Sequence, residues 1–381
     1  METLETHNRN GPDTFTESLT IQILAIWPEL TDKFNDACLI YAGFHPEFSF
    51  NTRSLQGLKD QIDQAYNNGK RYIMFECLGE GISSDVISKI HLVTSDLVAA
   101  DPSVTVYYFT GALNGEEAYI NICNKLNLQT YIKVMSCSYL EYVHHSSYPI
   151  IDEYEIRTRK KNYLCLNKVH RQHRIDLLEL MLSENLINDK CYYSFQDYSQ
   201  PTDDILISLL DEHYPNIKSN LAFIKTLQLN FDPTRTNPVN IIQDDLELYH
   251  NSYFSVITET IYYDSEYAFP KTRCHVSPVE SSTFITEKTI KCLALKHPFV
   301  MASVSGMLEG LRKRGYKTFH PFIDETYDTI LDDDLRLQAI VQEVNRLSSQ
   351  SDADWLEWTA NIKDVVEYNH THFFNQVDFR A

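Results

Sequence analysis

Apolar runs of strand length alternate with helical patterns through the first part of the chain. Residues 71–78, 104–110 and 131–136 are near-continuous apolar strands, and 84–99 has an apolar face at helical spacing. A further apolar run at 19–27 also predicts a strand. Continuous apolar strands separated by helices are typical of a parallel sheet covered on both faces. This part of the chain therefore predicts one α/β lobe.

A second alternating set follows a highly charged stretch at 152–161. It predicts strands at 163–166, 253–258 and 298–301, and helices at 172–185, 287–295, 303–314, 332–347 and 354–368. The predicted fold class is therefore α/β, with two Rossmann-like parallel-sheet lobes that face a cleft. The predicted domains are a polar tail at 1–18, an N-terminal lobe at 19–150, a C-terminal lobe at 151–352 and a last helix within 353–381.

Composition narrows the class of protein. The 381 residues include 33 Lys and Arg against 53 Asp and Glu, a formal charge of −20. Affinity for a phosphate backbone normally needs a basic surface. The excess of acidic residues therefore argues against a protein that coats nucleic acid or lies on a membrane, although it leaves room for a local basic pocket. The eight cysteines form no C-x-x-C pair, which favours buried thiols in a reducing compartment. Without a signal-peptide pattern or a membrane-length apolar run, we expect a cytoplasmic protein.

Three cations follow the strand at 163–166. Lys168, Arg171 and Arg174 lie between a buried-type strand and an amphipathic helix. Ligands of open α/β sheets bind at the carboxyl ends of strands, and the start of a helix offers free N–H groups to an anion. The segment predicts a diphosphate site. The alternative is a solvated helix start whose bases neutralise nearby carboxylates.

Two other segments carry polar side chains at comparable positions. Thr286 is a good helix N-cap, so Glu287 and Lys288 occupy the first helical turn, where they could bind ribose hydroxyls and phosphates respectively. Thr258 and Glu259 end an apolar strand and could contact a sugar or a base. The alternatives are an ordinary capped helix for the first segment and satisfied hydroxyls at a sheet edge for the second.

Together these segments resemble a known family. The sequence FITEKTIKCLALKHPFV at 284–300 resembles the nucleotide-sugar motif of GT-B fold glycosyltransferases, in particular the "ITEK…NAL…PVV" segment of α-1,3-fucosyltransferases. Asn167 with Arg171 and Arg174 resembles the Asn-plus-Arg segment of the same domain. VITET, FITEKT, HPFV, GMLEGLRKRGYKTF and IDETYD, in that order, resemble uncharacterised glycosyltransferase-like proteins of large tailed phages and giant viruses. The resemblance covers about 160–350.

The chain also departs from the family's patterns. The fucosyltransferase motif has Arg-Asn after Glu-Lys, where this chain has Ile290, Lys291 and Cys292, so a GDP-fucose donor does not carry over. Retaining GT-B enzymes often have two glutamates separated by seven residues, whereas six residues separate Glu280 from Glu287 here. The nucleotide base and the stereochemical course therefore stay open.

The resemblance implies a hexosyl- or pentosyltransferase that takes a UDP- or GDP-linked sugar, without a further cofactor. Arg171, Arg174 and Lys288 would neutralise the leaving phosphate where many other enzymes use Mg²⁺, which implies metal independence. The chain has no D-x-D motif in a suitable position, since the aspartates at 332–334 open a late helix. The predicted donor-binding set therefore consists of Asn167, Lys168, Arg171, Arg174, Thr258, Glu259, Thr286, Glu287 and Lys288.

The N-terminal lobe would present the acceptor and, in an inverting enzyme, a general base. Glu76 and Glu80 flank the end of the strand at 71–78 beside glycines, as in a cleft-facing loop, and are the predicted catalytic residues. His45 and His91 are weaker candidates. For each of the four, a structural role is the alternative.

The resemblance also bears on the last helix. Trp355, Trp358 and Val365 form an apolar stripe at helical spacing. In GT-B enzymes such a helix often crosses back onto the N-terminal lobe, although packing within one core explains the stripe equally well.

The acceptor is open between a glycan, a protein and a modified base in phage DNA. The net charge disfavours nucleic acid, and a viral origin would imply the host cytoplasm. Two alternatives to a glycosyltransferase also stay open. One is a non-catalytic binding or scaffold protein with a decayed GT-B fold, and the other is a sugar epimerase of the same fold.

Overall fold

The part of the chain that the structure describes contains two four-stranded parallel sheets. The computed structural model describes residues 20–42, 54–79, 81–167, 171–195, 214–224, 243–262 and 283–380. The first sheet has the strand order β1-β2-β3-β4, with β1 Ala37–Tyr41, β2 Tyr72–Cys77, β3 Thr105–Thr110 and β4 Lys133–Ser136. The second has the order β6-β5-β7-β8, with β5 Lys161–Asn167, β6 Cys191–Phe195, β7 Ser252–Thr258 and β8 Phe299–Ala302. This GT-B-like pair of Rossmann-like lobes confirms the predicted fold class.

Helices connect and cover the strands. Around the first sheet they are α1 Thr31–Phe34, α2 Leu55–Asn67, α3 Ser84–Ala100, α4 Gly115–Leu126 and α5 Tyr139–His144. Around the second they are α6 Gln172–Ser183, α7 Pro215–Ser219, α8 Leu221–Ile224, α9 Gln243–His250, α10 Glu287–Ala294, α11 Met307–Lys313, α12 Asp333–Ser348 and α13 Asp352–Asn375. None of the helices within the described ranges combines the length and the apolar character needed to cross a membrane.

Local signals explain why the predicted strand at 71–78 and the helix after it form. In β2, Phe75 packs into the core on one face of the sheet and Met74 into the core on the other, as expected of a strand covered on both sides. Helix α3 begins where Ser83 accepts a hydrogen bond from the main-chain N–H of Val86 at 3.3 Å.

The predicted strand at 19–27 is wrong, because residues 20–26 are helical. Ile23, Ile26 and Trp27 are buried, whereas Ile21 is exposed, so the apolar contacts follow a helical period and not a period of two. The run is apolar at nearly every position, and such a run cannot distinguish a short buried helix from a strand.

The helix predicted at 303–314 begins later, at Met307. Gly306 has a positive φ of 77°, a left-handed conformation that a helix cannot contain. The carboxylate of Asp328 then accepts hydrogen bonds from the main-chain N–H groups of Leu308 at 3.0 Å and Glu309 at 3.3 Å. A residue distant in sequence therefore caps α11, which sequence inspection alone does not reveal.

The last helix belongs to the core of the second lobe over much of its length. The indole of Trp355 stacks on the ring of Tyr253 in β7, with centroids 4.1 Å apart and planes 5° from parallel. Further along α13, Phe373 contacts the ring of Tyr148, at a centroid distance of 6.1 Å. Beyond the helix, the main-chain N–H of Ser138 donates to the carbonyl of Phe379 at 2.7 Å. The C-terminal residues therefore contact the segment that follows β4.

The two lobes meet at the carboxyl ends of their strands. The main-chain N–H of Leu113, after β3, donates to the carbonyl of Thr283 at 2.7 Å. Ile261, Phe284 and Val304 of the second lobe form a small apolar cluster with Leu140 of α5. The carboxyl ends of β7 and β8 therefore face those of β3 and β4.

Gly111 allows the main chain that follows β3 to lie close to the ring of Phe284 in the second lobe. A Cβ atom at this position would lie 2.5 Å from the ring of Phe284 and 2.3 Å from the carbonyl oxygen of Leu78. Real Cβ atoms do not come this close to either neighbour. The predicted tail at 1–18 lies outside the described residues, and the domain boundaries at 150 and 352 stay predictions.

A buried ion pair joins the lobes. The carboxylate of Glu141 in α5 is fully buried, and it accepts hydrogen bonds from the guanidinium of Arg314 at 3.1 Å and from the hydroxyl of Tyr316. Removing one partner of a buried pair leaves the other charge without compensation in a medium that solvates it poorly.

We expect Arg314→Met to lower the free energy of unfolding by about 3 kcal/mol, because Glu141 then stays buried without its cation. Chemical denaturation measures this loss. Lys59→Met is the matched control, since the ion pair of Lys59 with Asp96 is exposed and should contribute about 1 kcal/mol or less. Equal losses for the two variants would contradict the structural importance of the buried pair.

Candidate functional site

The predicted site residues that follow β5 and β7 come together because these two strands are neighbours in the second sheet. Asn167 is the last residue of β5 and Thr258 the last of β7. The hydroxyl of Thr258 donates to the side-chain oxygen of Asn167 at 2.5 Å, and both residues are buried. The carboxyl ends of adjacent parallel strands lie at the same edge of a sheet, where ligands of such folds bind.

The first turn of α6 packs against the main chain of residues 258–260. The guanidinium groups of Arg174 and Arg171 each donate to a carbonyl oxygen of this segment, at 3.0 Å in both cases. His173 lies between the two arginines, and its Nε2 is 3.1 Å from the carbonyl oxygen of the middle residue. These partners are neutral, so the contacts orient the two guanidinium groups without neutralising them.

Helix α6 begins without a cap from its own N-cap residue. Arg171 occupies that position, but its side chain makes no capping hydrogen bond. Its Nε–H is buried and makes no hydrogen bond with the described residues. In contrast, Thr286 caps α10 and Asp328 caps α11. A helix start whose own N-cap side chain makes no capping bond, beside a guanidinium Nε–H without a partner among the described residues, is suited to an anion.

Thr286, Glu287 and Lys288 form the start of α10, as predicted. The Nζ of Lys288 is 3.2 Å from the hydroxyl of Thr286 and 2.9 Å from a carboxylate oxygen of Glu287. Burial acts to raise the pKa of Glu287, but the charge of Lys288 and its hydrogen bond outweigh burial and lower this pKa to about 2. Glu287 is therefore an ionised carboxylate at neutral pH.

Charges from both helix starts act on the imidazole of His173. Burial lowers the pKa of this imidazole well below its usual range, and the charges of Arg174, Arg171 and Lys288 lower it further. A single buried ring is thus within reach of cations from both α6 and α10. His173 is neutral at physiological pH, and it donates through Nε2 because its partner is a carbonyl.

Glu259 is buried inside this arrangement. Its side chain is fully buried, and its carboxylate accepts hydrogen bonds from the hydroxyl and main-chain N–H of Thr286 and from the hydroxyl of Thr289. The predicted contact of Glu259 with a ligand is not tested by these bonds, but they tie the end of β7 to the start of α10.

The remaining predicted residues either lie outside the described ranges or belong to the first lobe. Lys168, Glu80 and His45 lie outside the described residues. His91 is enclosed within the first lobe, where its ring lies 4.6 Å from that of Tyr131 between centroids, and burial lowers its pKa. In the described part of the chain, no three His, Cys, Asp or Glu side chains are grouped so that they could hold a metal ion.

Glu76 lies within the predicted strand and not in a loop. It belongs to β2, where it is only 2% exposed and shares its face of the sheet with Met74 and Leu78. One carboxyl oxygen accepts from the main-chain N–H of Leu78 at 2.7 Å, and the other is buried without a hydrogen-bond partner among the described residues. Burial raises the pKa of Glu76 to about 7, against the opposing effect of the Leu78 N–H. Its catalytic role stays a prediction.

Sequence inspection missed His144, the last residue of α5. Helix α5 packs against α10, and the charges of Glu287 and Lys291 both act on the half-buried imidazole. Burial lowers the pKa of His144, Glu287 raises it, and Lys291 lowers it. The available signal was its place after the fourth strand, since a histidine in a short helix has no distinctive pattern.

Comparisons with known proteins add little to this geometry. No protein-family model matches the chain, and no curated protein matches it. A solved structure described as the GtfA/B complex is similar over 83% of this chain and 54% of its own length, with 8% identity and a TM-score of 0.37. The chain thus spans about half the length of that structure. A UDP-forming α,α-trehalose-phosphate synthase from Burkholderia xenovorans, in complex with glucose-6-phosphate, is similar over 96% of this chain and 78% of its own, with 9% identity and a TM-score of 0.38.

The raised pKa of Glu76 predicts a pH dependence of stability. Between the unfolded-state pKa of 4.5 and the folded-state pKa of about 7, the folded protein holds a proton that the unfolded chain releases. The free energy of unfolding should therefore fall by about 3 kcal/mol as pH rises through this window, and then level off.

The neutral amide of Glu76→Gln mimics the protonated carboxyl and should abolish this decline. We expect the stability of the variant relative to the unsubstituted protein to improve by about 3 kcal/mol between pH 5 and pH 8. Urea denaturation at both pH values provides the measurement. A stability difference that is the same at pH 5 and pH 8 would contradict the raised pKa.

Proposed function

We propose that this protein is a glycosyltransferase that moves a sugar from a UDP- or GDP-linked donor to an acceptor. One observation carries the proposal: Glu259, at the end of β7, bonds to His173 beside the arginines of α6 and to Thr286, whose hydroxyl is 3.2 Å from the Nζ of Lys288 in α10. A pyrophosphate bound there would lie within reach of Arg171, Arg174 and Lys288. The resemblance of 284–300 to nucleotide-sugar motifs supports the same ligand.

The distribution of charge supports an anionic ligand. The chain has a formal charge of −20, yet its second lobe concentrates cationic groups at one sheet edge. Arg171 and Arg174 are oriented there by hydrogen bonds to carbonyl oxygens, which are neutral partners. Lys288 has the Glu287 carboxylate beside it. A diphosphate would provide negative charge for the arginines and an acceptor for the unsatisfied Nε–H of Arg171.

The proposed reaction uses these groups where negative charge develops. As the bond between the sugar and the β-phosphate breaks, the electron pair stays on the departing nucleoside diphosphate. Fixed cations stabilise that charge without reorganisation, so the proposal requires no metal ion and no further cofactor. Glu287, ionised and held in the first turn of α10, is the proposed acceptor of ribose hydroxyl hydrogen bonds.

The first lobe is proposed to bind the acceptor, because the carboxyl ends of its strands face the same region. A glycan, a protein or a modified DNA base is compatible with this proposal. Transfer with inversion also needs a general base, for which Glu80 and Glu76 stay the proposed residues. A pKa of about 7 is suited to that task at neutral pH, although Glu76 is only 2% exposed and an acceptor would have to reach it.

The test combines binding with variants at the two helix starts. Calorimetric titration with UDP-glucose, UDP-N-acetylglucosamine, GDP-mannose and GDP-fucose should identify at least one ligand. Since each charge-assisted hydrogen bond contributes about 1.5–3 kcal/mol, Arg171→Ala with Lys288→Ala should weaken binding by about a hundredfold or more. Product analysis of the same mixtures would detect slow hydrolysis of the bound sugar nucleotide.

The matched control removes two positive charges elsewhere. Lys133 and Lys190 are exposed and lie at the opposite, amino ends of strands in the two sheets. Lys133→Ala with Lys190→Ala should bind the ligand as the unsubstituted protein does. If no nucleotide sugar binds, or if both double variants weaken binding equally, the proposal fails. The alternative of a non-catalytic binding or scaffold protein is then favoured.

A further inference from the structure

The main chain of the segment that follows β7 accepts hydrogen bonds from many side chains. Each of its five consecutive carbonyl oxygens, from residue 258 to residue 262, accepts a hydrogen bond from a side chain. In order, the donors are Arg174 at 3.0 Å, His173 at 3.1 Å, Arg171 at 3.0 Å, Ser303 at 3.3 Å and Arg336 at 2.9 Å. The segment is therefore fixed along its whole length, and the first turn of α6 is fixed to it.

The side chain of Glu259 attaches the same segment to α10. One carboxylate oxygen accepts from the N–H of Thr286 at 3.3 Å and from the hydroxyl of Thr289 at 2.5 Å. The other accepts from the hydroxyl of Thr286 and from the N–H of Thr260 at 3.3 Å. A carboxylate has about four acceptor positions, so these four donors occupy them all.

We infer that Glu259 is a positioning residue that sets the spacing between the two halves of the pyrophosphate site and does not itself contact the nucleotide sugar. The inference rests on the proposed function. The side chain has no exposed surface and no acceptor position left for a ribose or a base. A ligand could reach it only by displacing the start of α10.

Two short paths lead from Glu259 to the cations. Through its carbonyl oxygen it holds His173, which lies between the arginines of α6. Through its carboxylate it holds the hydroxyl of Thr286, which is 3.2 Å from the Nζ of Lys288. One residue therefore fixes both helix starts. Electrostatic stabilisation of a diphosphate depends on this spacing, because preorganised charges act only where the anion's oxygens lie.

Variants of Glu259 and Thr289 test the inference. Glu259→Gln replaces one acceptor oxygen with an N–H₂ group, so α10 loses part of its attachment. Thr289→Val removes a donor that acts on the site only through Glu259, whereas Thr289→Ser keeps that hydroxyl. The probes are UDP and GDP, and the readouts are dissociation constants by calorimetry and melting temperatures without ligand.

We expect Glu259→Gln and Thr289→Val each to weaken binding of the preferred nucleotide about tenfold, the scale of coupling between residues in contact. Thr289→Ser should restore the original affinity. When Lys288→Ala is already present, Glu259→Gln should weaken binding little further, because the group it positions is gone. This non-additivity is a readout that a loss of stability alone does not produce.

Other results would overturn the inference. If Thr289→Val leaves the affinity unchanged while Glu259→Gln abolishes it, Glu259 contacts the nucleotide directly. Full additivity of Glu259→Gln and Lys288→Ala would likewise exclude positioning through the lysine. Glu343→Gln is the matched control. Glu343 is a buried carboxylate of α12 that accepts hydrogen bonds from the main-chain N–H of Asp324 and from the guanidinium of Arg346, and its replacement should leave the affinity unchanged.

A failure of the proposed function gives a different pattern. If the unsubstituted protein binds neither UDP nor GDP, the glycosyltransferase proposal is contradicted. The attachment of α10 is then judged from melting temperatures alone. Destabilisation by Glu259→Gln and Thr289→Val that is less than additive supports the attachment, and additive destabilisation overturns it.

Discussion

The second lobe depends on satisfying the main-chain carbonyl groups that leave the buried end of β7. A buried carbonyl without a donor is costly, and the chain after residue 258 no longer belongs to the sheet that would supply one. Arginine, histidine and serine side chains from neighbouring elements provide the donors. The same guanidinium groups that satisfy the main chain are thereby held at the sheet edge with their charges intact. Stability and the candidate anion site thus use one set of hydrogen bonds.

Charge is distributed unevenly in this acidic protein. At the junction between the lobes, the buried carboxylate of Glu141 has Arg314 as its cationic partner. Beyond the end of β5, Arg171 and Arg174 donate hydrogen bonds to carbonyl oxygens of residues 258–260. These oxygens are neutral, and the bonds orient the two side chains. The first arrangement holds two lobes together, whereas the second orients two cations at the sheet edge. Burial of Glu76 has a third effect, because without a cation in hydrogen-bonding contact this carboxyl keeps its proton up to about pH 7.

The sequence predicted those features that depend on local signals. Strand β7, the apolar face of α3 and the start of α10 at Thr286 each follow from a pattern contained within one short segment of the chain. The helix at 20–26 was missed because a fully apolar run has no usable period. The bonds of Glu259 could not be predicted, since its partners are about 30 residues away and meet it only after α10 docks. His144 lies near Glu287 for a similar reason, the packing of two helices distant in sequence.

The hydrogen bond from Arg171 to the carbonyl at 260 also bears on which cation can serve at this position. A guanidinium has five N–H donors in a rigid plane, so it can keep one bond to the protein while the others turn to an incoming anion. An ammonium group has three donors on a single nitrogen at the end of a flexible chain, so the carbonyl and the anion would have to approach the same atom. Lysine at this position would thus preserve the charge but lose the planar arrangement of donors that lets arginine contact both partners through different nitrogens.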